Sequence, residues 1–242
     1  MRSQALLAQA RAESVLQLRR GENMIVTLAI PLGVLVFFAK VDTLSTDYKD
    51  PVDFLVPGVL ALAVMAAAMV SLGIATGFER RYGVLKRLGS TPLSRSGLLT
   101  AKTATVLALE LIQIVLVVIV GIAIGWNVPG GLLAAVGLLL LGTIAFAGIG
   151  LLMAGTLRAE ANLAAANALF LVFLFLGGMA YPLDKLPGAM QAVAKVLPAA
   201  ALSETVRAVL TSSAFPVGEF VVLLVWAITA PLLAAKFFRW EE

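Results

Sequence analysis

The sequence of 242 residues contains no cysteine and no histidine. Without cysteine there is neither a disulfide nor a thiolate metal site. Without histidine the commonest general base and the commonest metal ligand are both missing. Haem held between histidines and a Ser–His intramembrane protease are therefore excluded. Charge is also scarce. Asp, Glu, Lys and Arg make up 13% of the residues, against about one quarter in a soluble domain.

What fills the chain instead is apolar. Hydrophobic residues reach 61% and the mean hydropathy is +1.01, so the solvent of most residues is a bilayer. The length suits six spans of about 20 residues each with short loops. Within these residues no room is left for a nucleotide-binding domain of ordinary size, roughly 100–200 residues. The net charge of +4 fits cytoplasmic loops rich in Lys and Arg better than a nucleic-acid partner. The first apolar run begins only after Glu22 and has no small-residue cleavage site behind it, so no cleavable signal is expected.

Residues 1–22 read as an amphipathic helix lying on the membrane surface. Leu6, Leu7, Ala10, Ser14 and Leu18 recur at helical spacing, with Arg11, Gln17 and Arg20 mostly opposite; an ordinary cytoplasmic tail is the plainer alternative. Six uncharged or nearly uncharged runs follow, at 23–40, 54–78, 103–125, 132–157, 161–181 and 218–236. The third holds Glu110, with Gln113 one turn on along the same face. The segment 41–53 is acidic. Residues 79–102 form a long basic loop. Residues 182–217 are apolar but broken by Pro182, Pro187, Pro198 and Pro216, which suggests short helices dipping into the outer leaflet and buried in protein.

The basic residues set the orientation. Thirteen of the 18 Lys and Arg residues fall on one set of alternate segments and five on the other. Both termini and the 79–102 loop are thus expected in the cytoplasm, with 182–217 outside.

Within the basic loop, Arg81, Val84, Leu85 and Leu88 recur at i, i+3, i+4 and i+7. This predicts a short helix with an apolar ridge and basic flanks, ended by Gly89 and Pro92. A helix of two turns is marginal alone in water, so it reads as a knob for a partner's groove or simply as a positive loop. The run Glu79-Arg80-Arg81-Tyr82-Gly83-Val84-Leu85-Lys86-Arg87-Leu88, followed by Thr91-Pro92-Leu93-Ser94 and Lys102, resembles the coupling-helix segment of ABC-2-type permeases, including daunorubicin-resistance-like exporters. Arg81 and Lys86 stand where that pattern usually has acidic residues. A second element, Gly177-Gly178-Met179-Ala180-Tyr181-Pro182-Leu183-Asp184-Lys185-Leu186-Pro187, is similar to the family's G-x-x-Y/F-P-x-x-x-L-P motif. Leu197-Pro198 and Arg207-Ala208-Val209-Leu210 match the family's pattern C-terminal to that motif.

The resemblance implies an all-α membrane protein with an ABCG-like exporter fold: six transmembrane helices, an interfacial N-terminal helix, and short re-entrant helices before the last span. It further implies a permease subunit in a prokaryotic cytoplasmic membrane that pairs with a second copy or paralogue. Two ATPase subunits would bind ATP and Mg and drive export of a drug, a lipid or a lipid-linked molecule. The chain itself would hold no cofactor, metal or catalytic residue, and these residues contain no G-x-x-x-x-G-K-[ST] phosphate loop. Its expected ATPase-coupling residues are Glu79, Arg80, Arg81, Tyr82, Gly83, Val84, Leu85 and Leu88. Those of the outer element are Tyr181, Pro182, Leu186, Pro187 and Pro198.

Glu110 is costly at its depth, so it reads either as a pathway group or as an interhelical hydrogen bond. In the family the second and fifth spans line the central interface, which makes Met65, Met69, Asn162, Asn167, Phe170 and Phe173 pathway candidates beside Glu110 and Gln113; packing is the plainer role of the Met and Phe residues. The fourth span's Gly142, Gly148, Gly150 and Gly155 predict close helix packing. A membrane-embedded lipid-modifying enzyme and a channel subunit without an ATPase are the alternatives. The first lacks an acidic cluster for Mg²⁺ within the membrane.

Overall fold

A computed structural model describes residues 21–40, 51–89, 95–127, 130–179, 181–211 and 213–239. All the regular structure among these residues is helical. Helix α1 runs Gly21–Lys40, and α2 runs Pro51–Arg81 with a π-helical stretch at Ala66–Ser71. The short α3 is Val84–Gly89. Then come α4 (Arg95–Ala123), α5 (Leu132–Thr156) and α6 (Ala159–Leu176). A 3₁₀ turn at Leu183–Lys185 leads into α7 (Gly188–Ala194) and α8 (Pro198–Leu210), and α9 (Val217–Phe237) closes the chain. Of the interfacial helix expected at 1–22, residues 1–20 lie outside the described residues, as do residues 41–50 and Thr91-Pro92-Leu93-Ser94.

Five helices, α2, α4, α5, α6 and α9, are long and apolar enough to cross a membrane. The sixth expected span is helical too, as α1, where Pro31–Lys40 forms the described apolar part. Helix ends differ from span ends. α4 begins at Arg95 and α2 continues to Arg81, because helical hydrogen bonding runs on past the hydrocarbon that hydropathy detects. α6 stops at Leu176 because Gly177-Gly178 breaks it, with Gly178 at φ +64°.

α5 is the centre of the bundle. It packs along α9 and touches α2, α4, α6 and α8. Its glycines make this possible. A Cβ on Gly150 would sit 2.6 Å from the Met69 carbonyl oxygen, and one on the facing Gly73 would sit 3.0 Å from the Gly150 carbonyl oxygen. The two backbones therefore touch where α2 takes its π-helical form. Gly148 meets the Ala230–Pro231 backbone of α9, Gly142 meets Leu202 of α8, and Gly155 meets Phe238. Close backbone approach supplies the dispersion contacts that hold helices together in lipid, where burying apolar surface gains little.

Burial follows from this centre. In the most apolar stretch of α2, 83% is buried, against 22% in α6 and in α9. α4 splits by face. Val106, Glu110, Gln113, Ile114 and Val117 point inward, while Leu111, Ile112, Val115, Ile119 and Ile122 lie open. Hydroxyls away from the core bond one turn back: Thr103 Oγ1 donates to Leu99 O at 2.9 Å and Thr229 Oγ1 to Val225 O at 2.7 Å, which spares lipid an unpaired donor at these positions.

Replacing Gly150 with Leu is expected to cost about 1–3 kcal/mol or more through overpacking against Met69. Gly137→Leu, on the open face of the same helix with nothing within 4 Å, is expected to be neutral. Thermal unfolding in detergent reads the difference, and equal midpoints for the two variants would contradict the contact.

Candidate functional site

At the end of α2 the chain reverses at Gly83, which takes φ +70°, a conformation glycine reaches without strain. Tyr82 N donates to Phe78 O at 2.9 Å and Gly83 N to Arg80 O at 3.0 Å, closing the turn into α3. The knob expected from the sequence is present, but its faces are distributed differently from the expected ridge. Leu85 is fully buried in the bundle, whereas Tyr82 (70% exposed) and Val84 (41%) point outward. Leu85 anchors the knob, and Tyr82 and Val84 form its free apolar surface, flanked by the exposed Lys86 and Arg87. Of Leu88 only the helical backbone is described.

The charged residues before the turn clamp the knob to the bundle. Lys102 Nζ of α4 lies 2.6 Å from Glu79 Oε2, with the lysine almost fully buried. Arg80 is buried and donates through Nη2 to the Leu157 carbonyl oxygen. Arg81 pairs with Glu160 at the start of α6. Three neighbouring side chains thus tie the end of α2 to α4, to the α5–α6 junction and to α6. The sequence offered Lys102 only as part of a motif; its partner 23 residues away carries no local signal.

The pathway candidates do not converge on one cavity. Met65 and Met69 are fully buried inside the chain, and Phe173 packs on Phe146 with ring centroids 6.1 Å apart. Asn162 is also buried. Its Nδ2 donates to Gly73 O at 2.8 Å, joining α6 to α2. Asn167 is exposed and Phe170 half-buried on α6. Glu110 and Gln113 lie at the α4–α5 side of the core. Thr143 Oγ1 of α5 donates to Glu110 Oε2, and also to Leu139 O at 2.9 Å. One hydroxyl hydrogen therefore serves two acceptors, and the contact is an interhelical clasp.

The element after α6 is built around α8, which is buried along nearly its whole length. Tyr181 is exposed, Pro182 buried, Leu186 half-buried and Pro187 exposed before α7. Pro198 is the first residue of α8, where its missing N–H costs nothing. Two α8 side chains satisfy carbonyls freed where α6 breaks. Ser203 Oγ donates to Gly177 O, and Arg207 Nη2 donates to Gly178 O at 2.6 Å. Arg207 also pairs with Glu204 and lies 4.1 Å over the Phe54 ring of α2. Burial raises the Glu204 carboxyl above its usual range, and the Arg207 charge pulls it back. In the sequence Arg207 registered as one of the five basic residues on the outer side and as the start of the Arg207-Ala208-Val209-Leu210 match, with no hint of its partners.

The profile of the ABC-2 type transporter family matches residues 4–211. The chain belongs to that family. A relative from Escherichia coli (strain K12), described as "Probable multidrug ABC transporter permease YbhS", is 30% identical over 169 residues, covering 68% of this chain and 44% of the relative. The matched part is thus less than half of that relative's length. "Putative transport permease ycf38" of Porphyra purpurea is 27% identical over 221 residues, 86% of this chain and 74% of that protein. The family and the five spanning-length helices make this an all-helical, multi-pass membrane protein.

A double-mutant cycle over Glu110→Leu and Thr143→Val is expected to give a coupling of about 0.6–1.7 kcal/mol, the range for hydrogen bonds between membrane helices. Glu110→Gln, which brings its own hydrogen, is expected to keep the fold's stability. Zero coupling in unfolding measurements would remove the clasp.

Proposed function

We propose that the chain is the transmembrane subunit of an ATP-driven exporter in the cytoplasmic membrane, coupled to separate ATPase subunits through the α2–α3 knob. The observation that carries this reading is the clamped turn at Gly83: a basic protrusion with Tyr82 and Val84 outward and Leu85 inward. Family membership supports it, and so does the cluster of Lys and Arg around this end of the bundle. In this reading ATP and Mg bind on the partner ATPase, the subunit type that carries a phosphate loop.

In this reading two ATPase subunits close around ATP and displace the knob. The buried Leu85 and the Glu79–Lys102, Arg80–Leu157 and Arg81–Glu160 ties pass that displacement to α2, α4 and α6. Two permease chains, identical or paralogous, rock against one another. The open face of α6, with Asn167 and Phe170, is the candidate surface between them. The substrate is hydrophobic or amphipathic: the relative's printed name says multidrug, and the spans offer Met and Phe surfaces rather than charge.

The test is co-purification with candidate ATPases. Val84→Arg and Tyr82→Ala, both on the outward side, are expected to lower association at least roughly tenfold, about 1.4 kcal/mol, and to abolish stimulated ATP hydrolysis with an unchanged unfolding midpoint. Leu85→Arg is expected to unfold the knob instead. Full association and stimulation in both outward variants would overturn the coupling role.

A further inference from the structure

At the end of the bundle opposite the knob, a cavity of about 280 Å³ opens between α7, α8 and the start of α9. Its volume falls just below the roughly 300–1,000 Å³ of sites for drug-sized ligands, so it suits a small polar group. Five of its lining side chains are charged: Asp184, Lys195, Glu204, Arg207 and Glu219. Three of these already have partners. Arg207 pairs with Glu204 and bonds the Gly178 carbonyl, and Asp184 lies 3.5 Å from Lys185. Lys195 and Glu219 remain. Neither side chain makes a hydrogen bond or ion pair among the described residues, and they carry opposite charges into one cavity.

The surroundings of this cavity are apolar. Met190 (48% exposed), Val193 (49%) and Val196 (60%) lie open on and just beyond α7, the helix that supplies Gln191, and beside Lys195. The Trp226 indole of α9 donates to the Val196 carbonyl oxygen at 3.0 Å. That bond ties the middle of α9 to the end of α7. Gln191 Nε2 donates to Asp184 O at 3.1 Å and to Leu186 O at 2.8 Å, which fixes the cavity wall.

We propose that this cavity binds the headgroup of a zwitterionic phospholipid, one bearing a primary ammonium and a phosphate. Lys195 takes the phosphate and Glu219 takes the ammonium. An acyl chain runs over Met190, Val193 and Val196. The Arg207–Glu204 pair forms a charge-balanced floor that neither attracts nor repels the ligand strongly. This assignment does not rest on the coupling role of the knob, because it concerns the other end of the chain and needs only a bilayer around it.

The purified full chain is titrated in native mass spectrometry with phosphatidylethanolamine, with phosphatidylglycerol, and with soluble phosphoethanolamine as competitor. The wild-type chain is expected to retain phosphatidylethanolamine at least roughly tenfold more tightly than phosphatidylglycerol, the weight of one charge-assisted hydrogen bond. Lys195→Gln and Glu219→Gln are each expected to erase that preference, and the exchanged pair Lys195→Glu with Glu219→Lys to restore part of it. Equal retention of the two lipids by the wild-type chain, a reading that needs no variant, would overturn the proposal. So would a preference unchanged in both single variants. Displacement of the lipid by soluble phosphoethanolamine at equal concentration would show that the site reads a free zwitterion, and would overturn the lipid assignment.

Discussion

The contact on which the rest of the molecule depends is the backbone-to-backbone approach of α5 and α2 at Gly150 and Gly73. In lipid, two apolar helices gain almost nothing by hiding from their solvent. They stay together through dispersion at short range, which falls off steeply with even a small gap. Glycine removes the side chain that would hold the gap open. The π-helical stretch of α2 lies at this contact, with Met69 O turned toward Gly150. Once α2 lies against α5, its two ends are placed: one carries the knob and the other borders the polar cavity.

Around that contact the polar groups obey a second constraint: nothing in hydrocarbon hydrates them. Each interhelical polar contact also locates a helix. Asn162 fixes α6 on α2, Thr143 and Glu110 join α5 to α4, and Lys102 with Glu79 joins α4 to α2. Arg207 does the same for the broken end of α6 and for Phe54. Few in number, these contacts hold register where glycine packing alone would let helices slide.

Much of the architecture was legible in the sequence, because hydropathy, breakers and the Lys and Arg distribution are local signals. The spanning-length helices, the short helices of the 182–217 segment and the helical knob after Tyr82 were all of this kind, whereas the fifth span was expected to run to 181 and stops at Leu176. The helical period also gave the spacing of the Arg81, Val84, Leu85 and Leu88 row, but a period does not say which neighbour lies inward. Leu85 turned to the bundle because α2 and α4 meet there. Met65 and Met69 were read from the family as lining an interface, whereas burial of α2 by its own chain encloses them. The glycine pattern of α5 announced close packing without naming its partners. Lys195 counted only among the five outer basic residues and Glu219 gave no signal, since both line one space only through the folding of α7, α8 and α9.

α2 is one helix of 31 residues, about 46 Å from end to end. It is pinned at Gly73, and the pin is off-centre. Tyr82 lies nine residues to one side, about 14 Å, and Phe54 lies 19 residues to the other, about 29 Å. Such a rod is a lever with unequal arms. A rigid tilt about that contact would move Phe54, which lies beneath the Arg207 guanidinium, about twice as far as Tyr82. The fulcrum is a pair of glycines, and an atom added at either one meets backbone rather than a movable side chain.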